Sequence, residues 1–416
     1  MEKKESQLYK VSRRGGEKKM GAILLSPIYI IVNVYVAWWL LQYMGACYYL
    51  FQSSVVRGII VICYLFLSTT LLSSFLIKKE PWHRILKVIS NYWLGSFAYI
   101  LMTIISFDVV RSVGKKSRWL PETWFGTRKA FLIVGGVAIV VILVLSVYGI
   151  VHAKNLVVDR RELIIEKSCG QKELTIALVA DWHLGYSIGA KRMQQMVDKI
   201  NEENVDFVCV AGDQFDNEFD AILEPKKIAK ILRGIKSRYG VYGVSGNHDL
   251  NEKILAGFTF PVKEHEVHDE RFDTFLEEAN IKMLDEHQIC IDDSFYLIGR
   301  EDPQRAEKLG HKRKTPEQLL KGIDKTKPIF VIDHQPKELE QLAALGVDLD
   351  LSGHTHDGQM FPGNLFTAFG WKNSNGVKRI GTMYSCVTSG VGLWGPDMRV
   401  GTDSEIMILH IVFSHS

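Results

Sequence analysis

Cysteine is scarce in this 416-residue chain: the six present are scattered with no CxxC pair, which leaves neither a zinc knuckle nor a disulfide framework. Nucleotide-binding glycine patterns are missing, since Gly185 and Gly189 do not form a GxGxxG and no Walker sequence occurs. Charge is almost balanced at a formal +3, and no basic stripe interleaved with aromatics lies outside the loops between long apolar runs, so no nucleic-acid partner is expected. Internal repeats and low-complexity tracts are absent. A cleavable leader is not expected either. The first apolar run starts only after about twenty residues, exceeds a signal core in length and has no clear small-residue cleavage site.

What is present divides the chain in two. Residues 22–44, 58–77, 92–110 and 130–151 are apolar runs, each long enough to cross a hydrocarbon core, which takes ~20 residues at helical rise. They read as four transmembrane helices, with a buried soluble bundle as the competing reading. Trp38, Trp39, Tyr43, Trp82, Tyr92, Trp93, Trp119 and Trp124 lie near the run ends, where an amphipathic ring has one wet and one dry edge. Asp108, beside Arg111 and one turn from a run end, reads as an interfacial carboxylate. The tail at 1–21 (Lys3, Lys4, Lys10, Arg13, Arg14, Lys18, Lys19) and the second loop (Lys78, Lys79, Arg84, Lys87) are basic, which favours both chain ends in the cytoplasm. The third loop, with Arg111, Lys115, Lys116, Arg118, Arg128 and Lys129, opposes that orientation. A cytoplasmic catalytic domain is the expectation.

Residues 152–173 form a charged connector with an expected edge strand at 162–165. From 174 to 416 apolar strands alternate with amphipathic helices, which implies a layered α/β domain of two sheets packed face to face with helices outside. Strands are expected at 174–180, 207–211, 241–244, 295–299, 329–332, 349–352, 383–387 and 405–412, and helices at 191–203, 226–236, 272–279 and 336–345. The charged stretch 251–270, containing His265 and His268, reads as a surface insertion.

Chemistry concentrates in five clusters: Asp181-Trp182-His183, Gly212-Asp213, Gly246-Asn247-His248-Asp249, His334, and Gly353-His354-Thr355-His356. The first three follow apolar β-branched runs, placing them where a buried strand ends and a loop begins, which is where α/β folds keep their chemistry. Satisfied polar residues at strand ends would be the bland account, but five clusters in register read as a two-metal hydrolytic site. Two divalent cations held ~3.5–4 Å apart need anionic or imidazole ligands and one short bridge, for which Asp213 is the natural candidate. Oxygen and nitrogen donors without thiolate favour manganese, iron or zinc over calcium.

The ordered motifs DWH at 181–183, GDQFDN at 212–217, GNHD at 246–249, VIDHQP at 331–336 and GHTH at 353–356 resemble the calcineurin-like metallophosphoesterase superfamily over the whole region 174–416. LSGHTHDGQMFP and SGVGLWGPDMRVGTDSEIMIL are similar to its bacterial membrane-associated branch, which includes UDP-diacylglucosamine pyrophosphohydrolase-like and cell-wall-bound phosphoesterases. Asp357 departs from that branch, which commonly has glycine there. The resemblance implies an α/β/β/α sandwich in which Asp181, His183 and His356 complete a first metal site, Asn247, His334 and His354 a second, and Asp213 serves both. A hydroxide shared by the cations would attack phosphorus in line. His248 would donate a proton to the leaving oxygen, and Asp249 would either orient its imidazole or cap a turn. Arg399 is a candidate phosphate ligand, with a structural role as its alternative. Asp216 and Asn217 read as an Asx-stabilised loop, and His265, His268, His287 and His311 lack ligand spacing.

The expected function is hydrolysis of a phosphodiester, phosphomonoester or pyrophosphate bond, on a lipid or lipid-linked substrate that the membrane helices would concentrate. Gln214-Phe215-Asp216-Asn217 and Asp249 stand where a protein phosphatase of the superfamily would carry a basic motif and GNHE, which argues against phosphoprotein substrates. Soluble cyclic nucleotides stay open. The contrasting reading is a non-enzymatic sensor or transporter subunit whose soluble domain only binds metal or a phospho-ligand. The complete ligand set and the lack of an intramembrane polar pathway weigh against it.

Overall fold

The computed structural model describes residues 27–117, 127–255, 258–260 and 267–414. The basic tail at 1–21, Arg118, Trp119, Trp124 and His265 lie outside them. Two compact units result. The first contains four apolar helices, α1 (Pro27–Cys47), α2 (Ser54–Leu76), α3 (Trp82–Ser117) and α4 (Arg128–His152), each long and apolar enough to cross a membrane. The third begins ten residues before the expected 92, because His83, Arg84 and Lys87 continue the helix beyond its apolar stretch. Polar groups join these helices: Tyr64 donates to Asn33 Oδ1 at 2.8 Å, Tyr29 to the carbonyl of Ser68 at 2.8 Å, and the Trp93 indole to Tyr29 at 3.1 Å. In an apolar surround such bonds hold helices together where burial of aliphatic surface cannot. Asp108 accepts from Tyr35 at 3.4 Å.

The second unit is built on two six-stranded sheets. In chain order its strands are β1 (Leu156–Ile165), β2 (Glu173–Val179), β3 (Phe207–Ala211) and β4 (Gly240–Val244), then, after a separate two-stranded ribbon of β5 (Lys253–Leu255) and β6 (Phe258–Phe260), β7 (Ile281–Met283), β8 (Gln288–Ile291), β9 (Phe295–Gly299), β10 (Ile329–Ile332), β11 (Leu349–Ser352), β12 (Gly376–Ile380), β13 (Met383–Val387) and β14 (Ser404–Phe413). One sheet runs β1-β14-β2-β3-β4-β7 and the other β12-β13-β11-β10-β9-β8. The expected edge strand at 162–165 reaches back to Leu156 and pairs in parallel with β14 along its whole length.

Alternation explains the layering. Along β2, Leu174, Ile176 and Leu178 enter the core between the sheets, whereas Ala177 and Val179 face the helical layer. Side chains on a strand point alternately to opposite faces, so one short apolar run lines two cores. The inter-sheet core includes Phe207 against Phe295, with ring centroids 5.5 Å apart. Helices α5 (Ala190–Glu202), α6 (Pro225–Leu232) and α7 (Glu270–Glu278) cover the first sheet through Met193, Met196, Ile228, Leu232, Phe272 and Phe275. The helices α8 (Pro303–Lys308), α9 (Pro316–Leu319) and α10 (Leu339–Ala344) follow, and Leu319, Leu339 and Leu342 pack on the outside of the second sheet. The last helix is α11 (Gly363–Gly370). The result is the expected α/β/β/α sandwich. β7, β8, β12 and α11 are too short or too irregular in pattern to be read from the sequence.

Candidate metal centre

Parallel pairing brings the clusters to one rim. β2, β3 and β4 are adjacent and parallel, and their ends deliver Asp181 and His183, Asp213, and Asn247 with His248. In the other sheet, β10 and β11 are parallel and deliver His334 and then His354 and His356. The loops are locked together by backbone bonds. Asp181 donates to the Gly212 carbonyl at 3.0 Å, His183 to that of Asp213 at 3.1 Å, and Gly353 to that of His334 at 3.1 Å.

These loops hold an uncommon backbone. Asp181, His183, Asp213, His354 and His356 all have positive φ, at 53°, 47°, 51°, 72° and 50°. Aspartate and histidine tolerate the left-handed region better than most residues, but each still costs on the order of 1–3 kcal/mol, which surrounding structure must offset. Asp357, standing where the similar branch has glycine, adopts φ 49° and donates its amide to Thr355 Oγ1 at 3.2 Å. The motif glycines admit side chains from other loops. A Cβ on Gly212 would lie 2.4 Å from His334 Nδ1, and one on Gly246 would lie 2.1 Å from Asp213 Oδ1.

Three groups of candidate ligands result: Asp181 with His183 and His356, Asp213 with His334 and His354, and His183 with His248 and the loop residue Asp216, whose Oδ1 comes within 3.7 Å of His183 Nδ1. His183 Nε2 lies 3.1 Å from His356 Nε2, and His356 Nε2 lies 3.6 Å from Asp181 Oδ1. In the second group His334 Nε2 is 3.0 Å from His354 Nδ1 and 3.1 Å from Asn247 Oδ1. Asp213 Oδ2 reaches both the first and the second, at 3.1 Å from His334 Nε2 and 3.8 Å from His183 Nε2. The seven residues expected as ligands therefore converge, with Asp213 between those two groups.

The donor set fits divalent cations. Asp181 Oδ1 is buried with no hydrogen-bond partner, an arrangement that costs desolvation energy unless a cation compensates it. His334 Nδ1 lies 2.8 Å from the Ala211 carbonyl, so donation there turns the Nε2 lone pair inward. Before His334 can serve as a ligand it must lose a proton. Burial opposes charge on His334, but Asp213 and Asp181 outweigh it and hold the imidazolium well above its usual range. Burial would likewise raise Asp213, yet His334, His248 and His183 pull its carboxyl well below the ordinary value. Burial depresses His354 and His356 strongly, keeping them neutral.

Around the ligands, hydrogen bonds choose between expected alternatives. His248 Nδ1 lies 2.5 Å from Asn217 Oδ1, while Asp249 accepts the amides of Phe215 at 2.9 Å and Gly246 at 2.7 Å. Asp249 is thus a loop cap, and Asn217 orients the imidazole. Burial pushes His248 down to about 4. Arg399, read either as a phosphate ligand or as a structural residue, has structural contacts: it is fully buried and donates to the carbonyls of His356, Ser389, Gly390 and Gly392 and to Thr402 Oγ1. Sequence reasoning missed the aromatic borders, Trp371 with its ring centroid 5.3 Å from His354 and Trp394 at 5.8 Å from His248. Trp394 lies within the SGVGLWGP stretch, where a signal was available, whereas no motif marks Trp371. His311 lies 2.5 Å from Glu301, away from the ligand groups.

Residues 174–358 match the family described as calcineurin-like phosphoesterase. An uncharacterized metallophosphoesterase of Helicobacter pylori strain J99 is 30% identical over 243 residues, covering 58% of this chain and 60% of that protein. The chain thus spans 60% of the length of that relative. A Danio rerio protein named "Transmembrane protein with metallophosphoesterase domain" is 30% identical over 350 residues, covering 80% of this chain and 74% of its own. The Bos taurus protein of the same name is 25% identical over 352 residues, with coverage of 80% and 74%. Ligand residues converging at the strand ends of a two-sheet sandwich, together with these likenesses, assign the chain to the calcineurin-like phosphoesterase family.

Proposed function

We propose that this protein is a membrane-tethered, metal-dependent phosphoesterase that hydrolyses a phosphodiester, phosphomonoester or pyrophosphate bond of a lipid or lipid-linked substrate. The observation that carries the hydrolytic reading is the position of Asp213 Oδ2 between two buried histidine groups. Asp181, His183, Asp213 and His356 would hold one divalent cation and Asp213, Asn247, His334 and His354 the other, with manganese, iron or zinc matching the donors. When bound, the pair supplies Lewis-acid polarisation of phosphoryl oxygens and a nucleophile at neutral pH.

The protein's own groups do the rest. Asn217 Oδ1 accepts from His248 Nδ1 and fixes the ring; burial keeps the imidazole neutral, so Nε2 must first take up a proton before it can pass one to the leaving oxygen. Asp249 holds the Phe215 and Gly246 amides and so keeps the Asp213 and Asn247 loops in register. Four candidate spans and relatives named as transmembrane proteins support the tether, and a membrane-held enzyme meets lipid substrates at raised local concentration. The basic residues at 1–21 and in the second loop favour a cytoplasmic catalytic domain.

The test is hydrolysis of bis-p-nitrophenyl phosphate and p-nitrophenyl phosphate by detergent-purified protein with added manganese, comparing wild type with Asp213→Ala and His248→Ala. Activity lost in both variants is expected. Equal activity in wild type and Asp213→Ala would refute the site.

A further inference from the structure

Besides the metal centre, the catalytic unit presents an apolar feature that hydrolysis does not use. Helix α11, GNLFTAFG, contains no charged residue, and Leu365, Phe366 and Phe369 are 49%, 72% and 91% exposed. Leu365 and Phe366 each lie one turn from Phe369, so the three fall within an arc of about 100° on the helix. Its polar residues Asn364 and Thr367 are half-buried, and the Thr367 hydroxyl donates to the Asn364 carbonyl at 3.1 Å. Large phenylalanines left in water on one short helix mark an interaction surface, not scattered exposure.

The helix is attached to the metal centre at both ends. It starts seven residues after His356, and its C-cap, Trp371, packs its ring against His354. Close packing fixes the entry, where a Cβ on Gly358 would meet the Gly363 carbonyl carbon at 2.1 Å. Positive charge gathers at the far end. Lys337 Nζ lies 5.6 Å from the Trp371 ring, Lys378 Nζ donates to the Lys372 carbonyl at 2.7 Å, and among the described residues Lys372 alone of the three has an acidic partner, Glu340 at 2.9 Å.

We infer that α11 docks into the interface of an anionic lipid bilayer, with Leu365, Phe366 and Phe369 entering the acyl boundary and Lys337 and Lys378 meeting headgroup phosphates. An apolar face flanked by lysines is the composition that binds such a surface, and burial combines with attraction to anionic lipid. Only three residues separate α4, a candidate span, from β1 of the catalytic unit, so a bilayer crossed by α4 would hold that unit on a short tether. The inference rests on the preceding reading for the nature of the substrate, so its test does not depend on turnover.

Full-length protein with Cys47, Cys63 and Cys290 replaced by serine is labelled with bimane at Phe366→Cys, or at Glu317→Cys as an exposed control on α9. Both are reconstituted in palmitoyl-oleoyl phosphatidylcholine vesicles with phosphatidylglycerol and doxyl-labelled phosphatidylcholine. Lipid quenching several-fold stronger at 366 than at 317, and weaker when phosphatidylglycerol is omitted, is expected. A label at Leu365→Cys should lose that quenching when Phe366→Asp and Phe369→Asp are introduced. Equal lipid quenching at 366 and 317 with full access to aqueous iodide overturns the inference. So does protection from iodide without lipid quenching, which assigns the helix to a second copy of the chain. Failure of hydrolysis with lipid quenching intact would refute the activity and not the docking.

Discussion

Gly246→Ala tests the construction of the metal centre more sharply than removal of a ligand. The added Cβ would stand 2.1 Å from Asp213 Oδ1 and 2.4 Å from the Asp213 amide nitrogen. Ordinary contact needs about 3.4 Å or more, so the Asn247 and Asp213 loops must separate by about 1 Å, a displacement that can cost ~10²-fold in rate when it moves reacting groups. Overpacking adds roughly 1–3 kcal/mol of destabilisation. The same shift stretches the 2.7 Å bond from the Gly246 amide to Asp249 and the 2.8 Å bond from the His248 amide to Asp213. The expected outcome is a folded protein that binds less than two equivalents of manganese and hydrolyses bis-p-nitrophenyl phosphate ~10²-fold more slowly. Metal content by elemental analysis and steady-state kinetics are the assays. A variant with full metal content and a rate within twofold of wild type would refute the argument that this glycine exists to admit Asp213.

Asn217→Ala should lower kcat by ~10-fold while metal content stays unchanged, because it frees the His248 ring without touching a candidate ligand; an unchanged kcat removes Asn217 from the mechanism. Binding of manganese to metal-free protein near neutral pH should release a proton, since the imidazolium of His334, held by Asp213, must give up its proton to become a ligand; a weakly buffered dye titration without proton release contradicts this. Asp350→Asn should raise stability at about pH 8 relative to about pH 5. Burial lifts the Asp350 carboxyl from 3.8 to about 7, so its contribution is full below the unfolded value and lost as pH rises through the folded one, at most ~4 kcal/mol. Parallel thermal midpoints for variant and wild type across that range would refute it. Chelation should lower the thermal midpoint, by an amount equivalent to ~2.7 kcal/mol at a hundredfold excess of cation over its dissociation constant; no shift means no structural coupling.

Much was legible without coordinates because it is encoded locally. Strand β2 shows its two faces through period-2 alternation, and β9, β10, β11 and β13 coincide with their apolar runs. Long uncharged runs announce α2 and α4 for the same reason: burial, whether in lipid or in a core, acts on composition within a dozen or two neighbouring residues. Ligand chemistry was readable because each cluster follows its strand directly. Short edge elements such as β8 and β12 carry too few residues to establish a period.

Sequence alone therefore determined which residues are candidate metal ligands and which segments form most of the sheets and the apolar helices. The tertiary structure decided how side chains distant in the chain divide the work. Asn217 reaches His248 across 31 positions, Arg399 turns to the carbonyl of His356, and five candidate ligands enter the left-handed region as their loops converge. Hydrophobic periodicity is a property of neighbours, whereas hydrogen-bond partners and backbone strain at a site are set by which strand ends the sheet order brings together.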